Sequence, residues 1–489
     1  MKKLLVLLMF VVGASLIISG CDGFDSSVSA GMSGGDYNGG AGATPGGAQD
    51  MSVIRQLIDN GIVPDPENFH VEGMFSEYDL PIEGPVPENI FTIRTSHGYA
   101  ADKNLPGGGL YVQLGLSSSI NAATFRRDPL NLSVVVDKSG SMHGSKIVGV
   151  KTALGKLVDQ LDENDILSIV LFNHEMTVLL EPTPLGDVNV HEYIARIEAG
   201  GSTNMDIGMR KGYEFVRQYQ EFGERSDRVI LFTDALPNTG DDSPGNFRDI
   251  TTEGANDGIG LTAFGIGADF DQNLINYIAT QRGCNYFYLQ DGEKTSKVFD
   301  EDFDFLVTPI AYDLNFEVEL QADFAAVTNY GFPGGDSSTP GFEVSSIFLS
   351  RNRGALLLRF LPVAGADPLV NYGARIADIH LSYEDRDGLT HSEDLSVVYT
   401  GEDVDNSETH YFEQDGVRLT VSLAREVLSM KEACAYYHDP DDGSAEETLE
   451  TLLIYLNEEN EALGDDVLSR EITMVIKLKN LVSERRPKA

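Results

Sequence analysis

The stretch LNLSVVVDKSGSM (residues 130–142) runs from apolar residues into an aspartate, then into two serines at every second position. A short, continuous apolar run is the signature of a strand covered on both faces. A charge at its tip therefore calls for a reason. Asp137, Ser139 and Ser141 offer one carboxylate and two hydroxyls, and a spacing of two lets alternate side chains point the same way. Hard oxygen donors of this kind suit Mg²⁺, Mn²⁺ or Ca²⁺ and not zinc or copper. The same pattern occurs at Asp25, Ser27 and Ser29, but no strand precedes it and no helix follows. That copy reads as chance.

Outward from residue 130, apolar strands alternate with amphipathic helices. The spacing predicts a helix over 145–161, with Ile147, Val150, Leu154, Leu157, Val158 and Leu161 on one face. ILSIVLF (166–172), MTVLL (176–180), RVILFTD (228–234) and GLTAFGI (260–266) read as strands, and 206–220 and 271–282 as helices. This alternation implies an α/β fold, a mainly parallel sheet with helices on both faces. Ligands bind such sheets at the carboxyl ends of the strands. Asp137 and Asp234 both end strands there.

A chain of 489 residues exceeds one hydrophobic core. Residues 1–20 carry two lysines, an apolar run and small residues, as a secretory signal does. Residues 21–50 are rich in Gly, Ser and Ala and read as a flexible tether starting at Cys21. Residues 51–127 read as a helix followed by strands, and 128–307 as the α/β domain. Residues 308–404 read as a β-sandwich, with NFEVELQ, FEVSSIFL, GALLLRFLPV and IADIHLSYED as strands. Helical periodicity returns over 405–489, where Val417, Val421, Ala424 and Leu428 share a face. Beyond the signal, no segment has the ~20 apolar residues of a membrane helix.

The formal charge of −42 disfavours nucleic acid and anionic headgroups and favours cations or basic partners, while also keeping the surface soluble. Cys284 and Cys434 are open to pairing or to life as buried thiols. No Cys/His pair, phosphate loop or H-E-x-x-H appears, and His143 reads as a rim residue beside the strand tip.

Residues 130–307 resemble a von Willebrand factor type A domain, a Rossmann-like fold. DKSGSM (137–142) resembles the opening of its metal-ion-dependent adhesion site, GGSTNM (200–205) its second loop and FTDALPN (232–238) its third; LDENDILSIVLFN (161–173) resembles its second-strand region. The resemblance implies that Ser139, Ser141 and Thr203 bind a divalent cation directly, with Asp137 and Asp234 acting largely through water. The ion it implies is Mg²⁺, with Mn²⁺ or Ca²⁺ as alternatives, and a carboxylate from a protein partner completes the coordination. One departure is Ala235, where the family commonly has Gly; Asp241 and Asp242 follow in the same loop. Ile18-Ser19-Gly20-Cys21 resembles the bacterial lipobox, which implies lipidation of Cys21 and anchoring to a bacterial membrane by lipid alone. VIRQLIDNGIVPDPENFHVEGMFSEYDLP (53–81) resembles the N-terminal segment of a bacterial envelope family. Together these imply a lipid-anchored cell-envelope protein that binds a protein partner. No enzymatic activity, nucleic acid or small-molecule substrate is expected. An envelope scaffold with a non-essential metal site and a metal-dependent hydrolase are the alternatives.

Overall fold

A computed structural model describes residues 40–48, 51–186, 188–220, 225–234, 244–267, 277, 280–289, 295–333, 341–366, 369–405, 408, 410–439, 443–464 and 466–484. Cys21, Ala235, Asp241 and Asp242 lie outside them, as does most of the helix expected over 271–282. Among the described residues, no helix is long and apolar enough to cross a membrane.

Two sheets organise the chain. The first has seven strands: β2 (Gly47–Ala48), β5 (Leu130–Asp137), β6 (Ile166–Phe172), β7 (Met176–Pro184), β8 (Ser226–Thr233), β9 (Gly260–Ile266) and β10 (Asn285–Leu289). Their order is β2-β10-β9-β8-β5-β6-β7. All pairs are parallel except β6 with β7. Every residue of β5, β6 and β9 is buried, as a parallel sheet covered on both faces requires. Alternate residues of β5 serve opposite faces. Leu132, Val134 and Val136 pack with Val150, Leu154 and Leu157 of α3 (Ser145–Asp159). Val135 faces Met209, Tyr213 and Val216 of α5 (Met205–Arg217). A short helix α4 (Val190–Ile194) flanks the first layer, and α6 (Pro244–Asn256), which sequence periodicity left out, flanks the second.

The second sheet has ten strands and draws on distant parts of the chain. They are β1 (Gly40–Pro45), β3 (Thr92–Ala100), β4 (Gly109–Asn121), β11 (Pro309–Leu320), β12 (Phe324–Tyr330), β13 (Gly341–Ser350), β14 (Gly354–Pro362), β15 (Arg375–Asp385), β16 (Thr390–Val398) and β17 (Tyr411–Phe412). Leu114 and Leu358 from one half share a core with Phe316, Val344 and Ile379 from the other. The strands expected over 308–404 therefore form, but they share one sheet with β3 and β4. The α/β domain is an insertion between β4 and β11. Arg127 marks its start: the guanidinium grips Asp165 with bonds of 2.8 and 2.6 Å and lies 3.1 Å from Asp304, close to where the chain leaves the domain.

The tether expected over 21–50 is corrected at its end. Residues 40–48 form β1, between β4 and β13, and β2, on the edge of the α/β sheet. Gly and Ala composition suggests a linker, yet here small size is what admits the strand. A Cβ at Gly42 would stand 1.9 Å from the Asn352 carbonyl oxygen.

A third core joins early helices of the described chain to its last three. Helices α1 (Ser52–Asp59) and α2 (Val71–Ser76) pack with α7 (Asp415–His438), α8 (Ala445–Leu463) and α9 (Ser469–Glu484). The boundaries drawn at 127 and 405 thus do not separate independent units. Buried Arg425 binds α7 to the β3–β4 hairpin by donating to the carbonyls of Ala101 (2.8 Å) and Asp102 (2.6 Å). Cys284 and Cys434 are free, buried thiols in different cores.

Among these helices, Arg55 donates to both oxygens of Glu471 at 3.0 Å and to Glu77 at 2.9 Å; Tyr78 donates to Glu471 at 2.5 Å. Glu426 is fully buried in the same cluster. Burial first, then the Glu471 carboxylate, push Glu426 well above the usual carboxyl range. A carboxyl raised in the folded state contributes stability at low pH that is lost as pH rises through its folded value. Glu426→Gln removes that proton dependence. Its thermal midpoint is expected to exceed the wild type's at about pH 9, with the gain shrinking toward about pH 5; parallel slopes of midpoint against pH would refute the assignment.

Candidate metal centre

Strands β5 and β8 are neighbours, and both end at the same rim of the sheet. Asp137 is the last residue of β5 and Asp234 follows β8 directly. Asp137 is buried, yet both its oxygens are met. The Ser139 backbone N–H donates to Oδ1 at 2.8 Å and the Thr233 hydroxyl to Oδ2 at 2.8 Å. The hydroxyls of Ser139 and Ser141 lie 3.0 Å apart. Ser141 donates to Asp234 Oδ1 at 2.9 Å, and Lys146 Nζ lies 2.5 Å from Asp234 Oδ2.

The second loop is tied to the first by its backbone. Gly200 N–H donates to the Lys138 carbonyl and Gly140 N–H to the Gly201 carbonyl, both at 2.7 Å. Asn173, just past β6, braces it by donating from its amide to the Gly200 carbonyl at 2.6 Å. Gly201 has φ of +91° beneath the His174 ring, where a Cβ would approach Nδ1 to 2.5 Å. This crossing delivers Thr203, buried, just ahead of α5. The three loops named from the sequence thus converge. Ser139, Thr203 and Asp234 are buried with Asp137, and Ser141 alone is exposed. His143 is exposed nearby, as a rim residue should be.

Burial is the largest influence on Asp137 and pushes its carboxyl up to about 6; hydrogen bonds from Ser139 and Thr233 pull it back, and Asp234 adds to the rise. Two residues of the cluster escape a motif reading. Thr233 precedes the third-loop aspartate and supports the other carboxylate. Lys146 lies at the start of α3, where a lysine ordinarily means a solvated face.

The donor set fits a hard divalent cation: the carboxylates of Asp137 and Asp234 and the hydroxyls of Ser139 and Ser141, with Thr203 buried on the adjoining loop and no thiol or imidazole among them. Lys146 adds a second sign, since its ammonium already rests against Asp234 as a cation would.

Residues 131–301 match the family model for the von Willebrand factor type A domain. The uncharacterized protein sll0103 of Synechocystis is 28% identical over 207 residues, 42% of this chain and 48% of that protein. Bovine inter-alpha-trypsin inhibitor heavy chain H4 is 27% identical over 233 residues, 46% of this chain and 25% of that one. A solved von Willebrand factor type A protein from Catenulispora acidiphila is 14% identical, covering 83% of this chain and 99% of that one, with a TM-score of 0.48. The chain spans about half or less of these two curated relatives. Residues 131–301 have the Rossmann-like α/β fold of a von Willebrand factor type A domain, held within a larger sheet and helical framework.

Thr233→Val keeps the volume of the side chain and strips a donor from buried Asp137. It is expected to lower stability by about 1–3 kcal/mol in metal-free buffer near neutral pH. Urea unfolding checks this; an unchanged midpoint would show that the carboxylate does not depend on Thr233.

Proposed function

We propose that this chain is a lipid-anchored protein of the bacterial cell envelope that binds a protein partner through a divalent metal ion. In this reading Ser139, Ser141 and Thr203 supply hydroxyl ligands, while Asp137 and Asp234 orient them and balance charge. The ion is Mg²⁺, or Mn²⁺ or Ca²⁺ in its place. When bound, it supplies an acceptor for a carboxylate presented by the partner. Lipidation of Cys21 makes the attachment to the membrane.

The observation that carries this reading is the convergence of three loops at one end of the sheet, with the exposed Ser141 hydroxyl at the outer edge of an otherwise buried oxygen cluster. Neutral hydroxyls as ligands leave a divalent ion under-neutralised and hungry for an outside anion. The match to a von Willebrand factor type A domain supports an interaction role. The N-terminal sequence supports the anchor.

Calorimetry on the full chain with Mg²⁺, beside Asp137→Ala, is the test. Saturable binding in the wild type and its loss in the variant are expected. Binding is also expected to weaken as pH falls through about 6, where Asp137 takes up a proton. Equal binding by wild type and variant would move the ion elsewhere on this acidic chain. Partner capture that survives a chelator would favour the scaffold reading instead.

A further inference from the structure

Lys146 sits where neither fold nor motif requires a charge. It belongs to the first turn of α3, an end of a helix that disfavours cations. Its ammonium is nonetheless directed at Asp234 Oδ2, 2.5 Å away, while Ser141 holds the other oxygen at 2.9 Å. Its aliphatic chain is braced as well. Gly267 follows β9 with φ of +93°, and a Cβ there would stand 2.9 Å from Lys146 Cε. The lysine side chain thus crosses the strand ends over a glycine to reach the carboxylate.

We propose that Lys146 is a tethered counter-cation that makes tight binding of a divalent ion depend on an outside carboxylate. This rests on the metal-site reading given above. The two buried carboxylates bring two negative charges to the cluster, and Lys146 cancels one of them. A divalent ion therefore arrives at a site with one net negative charge and leaves it one short of neutral. An acidic side chain from a partner supplies that last charge. Without the lysine, the site would neutralise the ion by itself and have less need of a partner. Lys146 is a positioning residue in this scheme, since it holds Asp234 and touches no partner.

Two unit charges a few ångströms apart near a protein surface interact by more than the 1.4 kcal/mol that makes a tenfold change. The test is Mg²⁺ calorimetry on the full chain, with and without millimolar acetate, for wild type, Lys146→Met and Lys146→Arg. Wild type is expected to bind Mg²⁺ weakly alone and at least several-fold more tightly with acetate. Lys146→Met is expected to bind about tenfold more tightly without acetate and to gain little from it. Lys146→Arg, which keeps the charge, should track the wild type. Thermal unfolding of each variant separates lost folding from lost charge, and Lys146→Gln replaces the Met variant if that one does not fold. Equal or weaker Mg²⁺ binding by the folded neutral variants, with the wild type still binding, overturns the role of Lys146 and leaves the metal site standing. Absence of binding in every variant, wild type included, overturns both.

Discussion

Asp137 closes a strand whose every residue is buried, so its carboxylate is taken out of water by the sheet that makes it. A charge in that position is tolerable only because two donors reach it, the Ser139 backbone N–H and the Thr233 hydroxyl. Those two bonds dictate much of the rim. The first turns the chain sharply after β5 and sets Ser139 and Ser141 on one side. The second couples the end of β8 to the end of β5, which brings Asp234 within reach of Ser141. The second loop then needs only two backbone bonds to lie across the first. The cluster is therefore assembled by the backbone and by the bonds made to two buried carboxylates, before any ion is considered.

Much of this was legible in the sequence. Fully apolar strands such as ILSIVLF announce a sheet covered on both faces, and the side-chain period places Asp137 at its rim. The loops carrying Thr203 and Asp234 were legible through their motif context. What escaped has physical causes. Lys146 carries no periodic signal, because what fixes it, Asp234 just past β8 and Gly267 just past β9, lies far away in sequence. The strand at Gly40–Pro45 escaped because Gly and Ala composition describes a linker as well as it describes a strand that must fit a narrow slot. The single sheet uniting β3, β4 and β11 to β16 escaped because local patterning says nothing about pairing across an insertion of more than 180 residues (122–308). Helix α6 has a weaker apolar stripe than α5, and its start adjoins a Pro/Gly/Asp-rich loop that reads as irregular.

The insertion also explains how one domain is held within another. Arg127 sits at the entry of the α/β domain and pairs with Asp165 inside it and Asp304 near its exit. Both ends of the domain are thus gathered at one guanidinium. They lie at the opposite end of β5 from Asp137, since Leu130, at its start, also donates to Asp165 at 2.7 Å. The candidate metal centre thus lies at the end of β5 away from the junction with the framework.

The placement of β1 has a mechanical consequence. It is the first described strand of the chain, and it lies inside a sheet, antiparallel to a partner on either side. A pull applied at Gly40 in line with β1 would act along the axis of this strand. Its hydrogen bonds to β4 and β13 would then be loaded together in shear instead of being peeled one by one. Two residues on, β2 grips the α/β sheet, so the same few residues are stitched into both sheets. The protein would answer tension as a rivet does, and shortening it to residue 51 would remove a strand from each sheet together with that rivet.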